Sequence, residues 1–153
     1  MRRPLLLGLD NPHSKNSRAA LLPRPPGSAG HRLFLLSKMG WKEYCLSFER
    51  RNVSNISDDD LEYRTVLVLG KEAWKKLGLP GRDYFDRMFS LDSVFILVPH
   101  PSGRNLWYNS AENRNRVTRL MRRTADDWTG GATQGRDGGD RGGLLPDPGT
   151  EAR

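Results

Sequence analysis

The sequence predicts an α/β fold, a three-layer α/β/α arrangement around a central, mostly parallel sheet of four strands. Three observations carry that expectation. The strongest apolar runs are short and continuous rather than alternating, as in strands covered by helices on both faces. Helical patterns lie between them, and Gly or Pro marks the junctions.

In chain order, residues 4–9 form the first strand. Residues 29–39 and 41–50 read as two helical stretches broken at Gly40, followed by a short extended piece around Asn52 and Val53. Residues 65–69 form the next buried strand. The helix over 71–77 opens after Gly70 and stops at Gly78 with Pro80 beyond, and Ala73, Trp74 and Leu77 share its inner face. Residues 94–98 form the last strand. Residues 110–124 form the last helix, with Ser110 as cap, Glu112 in the first turn, and Val117, Leu120 and Met121 at helical spacing. Strand–helix alternation of this kind implies right-handed crossovers and a ligand crevice at the carboxyl ends of the strands.

A chain of 153 residues accommodates one domain, expected over residues 1–128. Residues 129–153 hold eight of the sixteen glycines and no aromatic residue, and are expected to be a disordered tail. No apolar stretch reaches the roughly 18 residues of a membrane span, so a soluble, intracellular, cytoplasmic protein without a membrane partner is expected. Cys45, a lone cysteine, provides neither an internal disulfide nor an all-thiolate metal site. The net charge is +7 and the pI near 10.0, the balance of a polyanion binder. Residues 129–153 carry three Arg against four Asp and Glu, which puts an excess of +8 in residues 1–128. DNA is the expected partner, with no metal, no cofactor and a monomeric state.

Candidate chemistry lies just after the strands. The first is followed by Gly8-Leu9-Asp10-Asn11-Pro12, where glycine permits close backbone approach and Asp10 and Asn11 are expected to face the crevice. The last is followed by Pro99-His100-Pro101-Ser102-Gly103-Arg104-Asn105, a titratable group held between two prolines. A third element, residues 23–33, leads from a proline-rich loop into a helix start suited to phosphate or base contact, and Gly27 and Gly30 there also allow close packing of the helix.

Together these elements resemble the uracil-DNA glycosylase superfamily, which pairs a Gly-x-Asp/Asn-Pro type segment after the first strand with a His-Pro-Ser segment after the last. The resemblance spans most of residues 4–124. Arg24-Pro25-Pro26-Gly27-Ser28-Ala29-Gly30 is similar to the Pro-Phe-Val-Gly-x-Ala-Gly stretch of the four-cysteine branch, and Gly70-Lys71-Glu72-Ala73 to the family's middle unit. The resemblance implies a glycosylase that flips a uracil or modified pyrimidine out of DNA and hydrolyses its N-glycosidic bond. It implies that His100 donates a hydrogen bond to the departing base and that Asp10 or Asn11 positions the attacking water. Asn52 then reads the base edge, Gly8, Pro25 and Phe34 line the base, and Ser102, Gly103, Arg104 and Asn105 lie against the DNA backbone.

Independently, Arg114, Arg116, Arg119, Arg122 and Arg123 make the last helix basic, and Arg114 and Arg122, two turns apart, are expected to share a DNA-facing side. The sequence departs from the family at two places. Asn11 separates Asp10 from Pro12, so either side chain is a candidate for the water. Pro25 stands where the family has the stacking phenylalanine, leaving Phe34, Phe48 or Trp107 as substitutes and pointing to a base other than plain uracil. A lone cysteine also excludes the iron–sulfur cluster of that branch. A non-catalytic module of the same fold that recognises a modified base is the alternative, and an α/β enzyme acting on free nucleotides is a third reading.

Overall fold

The computed structural model describes residues 1–9, 20–22 and 26–137, with side chains described as far as residue 129. Strands β1 (Leu5–Gly8), β2 (Glu49–Asn52), β3 (Thr65–Leu69), β4 (Arg87–Ser90) and β5 (Ser93–Val98) form one five-stranded sheet in the order β2-β1-β3-β5-β4. All neighbours pair in parallel except β4, which runs antiparallel to β5 at the edge. The fold is therefore the expected α/β class, with one strand more than the four predicted.

Alternation along the strands builds the layers. Leu6, Leu67, Leu69, Ile96 and Val98 face a core completed by Leu33, Tyr44, Phe48, Val117 and Met121. These come from helices α1 (Ala29–Ser37), α2 (Trp41–Ser47) and α5 (Ala111–Asp137) and from Phe48, which caps α2. Leu5, Leu7, Val66, Val68, Phe95 and Leu97 face the other way, against Leu61 of α3 (Asp58–Leu61) and Ala73 and Trp74 of α4 (Lys71–Lys76). The inner faces predicted for α4 and α5 hold: Leu77 and Leu120 join these cores as partly buried members.

Helix ends follow ordinary capping chemistry. Ser28 accepts from the His31 amide to start α1, Ser110 Oγ accepts from the Asn113 amide at 3.2 Å to start α5, and Ser57 with Asp60 forms a capping box on α3. Lys38 closes α1 in the left-handed conformation, and the break at Gly40 separates α1 from α2 as expected. The last helix, expected over residues 110–124, runs from Ala111 to Asp137. A helix already anchored by Val117, Met121 and Ala125 extends one residue at a time without a new nucleus, and glycines slow but do not prohibit that growth.

The amino edge of the sheet is held by Arg64, whose side chain is 1% exposed. Its guanidinium donates to the Arg3 carbonyl from Nε at 2.9 Å and from Nη2 at 2.6 Å, to the Asp60 carbonyl at 2.9 Å, and to Glu49 Oε1 at 2.5 Å. One planar fork thereby ties the start of β3 to Arg3 ahead of β1, to α3 and to the start of β2. Burial pushes Glu49 up, but the Arg64 hydrogen bond and the charges of Arg64, Arg3 and Arg2 outweigh it and hold the carboxyl below its ordinary value.

Removing this guanidinium strands buried carbonyl acceptors. Arg64→Met is expected to cost about 3 kcal/mol in urea unfolding, and Arg64→Lys most of that, because an ammonium does not reproduce the fork. Glu49 is depressed on folding, so its contribution is complete above its unfolded value of 4.5 and is lost as pH falls through the lower folded value. Glu49→Gln should flatten the acid limb of the stability profile measured by urea midpoints.

Candidate functional site

The topology produces a crevice. From β1 the chain crosses through α1 and α2 to β2 on one side, whereas from β3 it crosses through α4 to β5 on the other. The connections leaving β1 and β3 diverge, which makes the carboxyl ends of these neighbours the switch point where ligands bind in open α/β sheets. Gly8 ends β1 and Gly70 follows β3, so two residues without side chains stand there.

At β1, a Cβ on Gly8 would lie 3.4 Å from Leu21 Cδ2 and 3.6 Å from Asn52 Oδ1. Asn52 ends the adjacent β2 and is buried at 3% exposure. The predicted pair of Gly8 and Asn52 thus shares one corner of the crevice. Asp10, Asn11 and Pro25 lie outside the described residues.

At β3, Gly70 has φ +98, and a Cβ there would meet His100 Cβ at 3.1 Å, with the ring carbons Cδ2 and Cγ at 3.5 and 3.6 Å. The glycine is needed twice, for its left-handed φ and for the room it leaves the imidazole. His100 is half-buried, and burial lowers its pKa below the ordinary 6.5 although the Glu72 carboxylate pulls it back up. The neutral ring is favoured at physiological pH.

The loop that carries His100 is internally braced. The His100 carbonyl accepts from the Ser102 amide at 2.9 Å and from Asn105 Nδ2 at 3.0 Å, and Asn105 Oδ1 accepts from the Trp107 amide at 3.1 Å. Ser102 Oγ accepts from the Arg104 amide at 3.0 Å, and Tyr108 Oη donates to the Pro99 carbonyl at 2.5 Å. Asn105 is accordingly a brace of the loop, while Gly103 and Arg104 are its exposed tip. The Arg32 guanidinium of α1 reaches that tip, with Nη1 3.7 Å from where a Gly103 Cβ would be.

Across the crevice, the first turn of α1 fits against the incoming chain, since a Cβ on Gly30 would collide with the Leu22 carbonyl and the Leu21 backbone. The close packing expected of Gly30 is present, but against this segment rather than the sheet. Gly27 has nothing within 4 Å of its Cβ position and supplies a φ of +85 instead.

Three predicted residues are employed elsewhere. Phe34 packs edge-on against Trp41 at 5.7 Å and Tyr44 at 5.3 Å, among α2 residues leading to the amino edge, away from the crevice. Arg114 donates from Nη1 to the Tyr108 and Asn109 carbonyls at 2.8 and 3.1 Å, ending the 3-10 turn Leu106–Asn109. Arg122 donates to the Lys38 carbonyl at 3.2 Å and so caps α1. Both arginines hold the fold together at their own positions. Conversely, Leu106 is 76% exposed directly after the His100 loop, and Arg32, Lys71 and Tyr84 also reach this edge.

No protein-family model and no curated protein matches the chain. Among the described residues no group of three or more His, Cys, Asp or Glu is placed to hold a metal ion, and no helix is long and apolar enough to cross a membrane.

Gly70→Ala is expected to cost about 1 to 3 kcal/mol through its strained φ and to displace the imidazole. Both effects are measurable, by urea unfolding and by the His100 ring proton signals in NMR. In the same titration Glu72→Gln should lower the His100 midpoint further. Because folding depresses that midpoint, its contribution to stability is complete above pH 6.5 and declines as the solution is acidified.

Proposed function

We propose that this chain is a monofunctional DNA glycosylase that hydrolyses the N-glycosidic bond of uracil or a modified pyrimidine extruded from DNA. The observation that carries the reading is the imidazole of His100, seated on Gly70 at the switch point and biased toward its neutral form. A fixed neutral imidazole donates one hydrogen bond, and aimed at a base oxygen it stabilises the charge that develops as the glycosidic bond breaks. It need not give up a proton to do so.

The other parts have matching tasks. Asn52, buried beside Gly8, presents amide donors and an acceptor suited to a pyrimidine edge. Between β2 and β5 lie two strands, so their ends stand about 14 Å apart at the usual interstrand spacing, room for a base between Asn52 and His100. Asp10 or Asn11 orients water toward the sugar carbon. Arg104 and Arg32 meet phosphate, and Leu106 enters the base stack as an apolar wedge.

The test is release of free base from oligonucleotides carrying uracil and a panel of modified pyrimidines, scored as abasic sites. Release from at least one substrate is expected. His100→Ala should reduce it by about 10²- to 10³-fold with DNA affinity nearly intact, as for a lost oxyanion donor. Leu106→Ala should lower release by roughly tenfold, the value of burying one such side chain. The insertion of Asn11 between Asp10 and Pro12 favours a second reading, a binding module that recognises a modified base without cutting. Tight, base-selective binding with no release from any substrate would establish that reading instead.

A further inference from the structure

Beside the His100 loop, side chains from three separate parts of the chain line up into one ladder. Lys71 Nζ lies over the Tyr84 ring at 5.1 Å, Tyr84 meets Trp107 at 5.9 Å, Trp107 meets Phe85 at 5.8 Å, and the Arg116 guanidinium lies over Phe85 at 4.3 Å. Trp107 is the hub, in further edge contact with Tyr108 at 5.0 Å. All three ladder rings remain partly exposed, and both cations are exposed. Phe85 also holds φ +72, a conformation that costs an ordinary residue strain, and its amide donates to the Leu97 carbonyl at 2.7 Å.

We propose that this ladder is a track for single-stranded DNA, running from the amino end of α4 past the His100 loop to α5. Rings flanked by cations are what a flexible nucleic-acid strand needs: aromatic surface for bases, and a positive charge at each end for the backbone. The cations are already oriented by the rings, so less side-chain freedom is lost when phosphate binds. Charge complementarity agrees, with Lys71 and Arg116 both exposed at this edge, and the acidic Asp86 of this loop is turned onto the Asp83 amide. A duplex, with its bases stacked inward, offers phosphates to Lys71 and Arg116 but nothing to the rings.

The proposal rests on the glycosylase reading only in taking DNA as the ligand of this edge. The experiment uses the full chain with an unmodified oligothymidylate, its duplex with oligoadenylate, and variants Trp107→Ala, Trp107→Phe and Lys71→Gln/Arg116→Gln. Binding is followed by fluorescence anisotropy over a salt series and folding by circular dichroism. The single strand should bind at least tenfold more tightly than the duplex. Trp107→Ala should weaken single-strand binding about tenfold and Trp107→Phe restore most of it. The double variant, altered at two exposed positions, should lower the slope of log affinity against log salt by about 1.4, the value for two phosphate contacts on a single strand. Equal or tighter duplex binding, or an unchanged slope in the double variant, overturns the track. Single-strand binding without base release from the substrate panel leaves the track standing and removes the glycosylase reading, whereas base release with ladder variants that bind normally does the reverse.

Discussion

The buried guanidinium of Arg64 is the constraint on which the arrangement of this sheet depends. A parallel sheet has no hairpins to set its register, so something other than turn geometry must align strands that arrive from distant parts of the chain. Here one rigid fork satisfies acceptors from Arg3 ahead of β1, from α3 and from β2, and does so at the amino edge. Alignment at that edge leaves the opposite edge open. Gly70 with its left-handed φ, the bare tip at Gly103 and the exposed Leu106 all occur there.

The layered fold was legible because burial on both faces leaves a continuous apolar signature. Residues 4–9, 65–69 and 94–98 have no polar side to disguise, and their strands occupy the centre of the sheet. Edge strands have no such signature. Of the strand Glu49-Arg50-Arg51-Asn52 only the end around Asn52 could be read as extended, because Glu49 and Arg50 read as helical with residues 41–50 whereas the helix stops at Ser47; Arg-Met-Phe-Ser at β4 could not be read at all, since its residues are largely exposed and its pairing comes from β5. The site was legible to the extent that it follows strand ends: Gly8, Asn52 and His100 are where polar residues after strands must be. Gly70 was legible as the turn that opens α4 but not as the seat of His100, a neighbour far along the chain, and Leu106 gave no local signal, because it stands out through exposure that no pattern records.

Charge shows the same division between what is counted and what is placed. The basic excess was read as a phosphate-binding surface, yet a guanidinium is also the best available donor to carbonyls left over at helix ends and strand starts. Arg2, Arg3, Arg50, Arg51, Arg64, Arg114 and Arg122 all donate to main-chain carbonyls. Arg116 differs, lying exposed over the Phe85 ring. Net charge therefore overstates the cations available to a polyanion, and those near the crevice, Arg32, Lys71, Arg104 and Arg116, come from four different elements.

This distribution bears on how His100 is controlled. A histidine intended to carry a proton would be paired closely with a carboxylate, and among the described residues the acidic influence on this ring, from Glu72, is outweighed by burial. Position is enforced instead by backbone: two prolines flank the residue, its carbonyl accepts twice, and Gly70 removes the one atom that would push the ring away. Rigid placement with a suppressed charge suits a group that stabilises a departing anion by a directed hydrogen bond, because a neutral donor adds stabilisation as charge develops without binding the uncharged base more tightly than its transition state. In the proposed glycosylase reading, the same suppression keeps an additional positive charge from competing with Arg32 and Arg104 for the phosphate of the nucleotide. Base and backbone are in that reading addressed by different groups, the His100 imidazole and the guanidinium groups of Arg32 and Arg104.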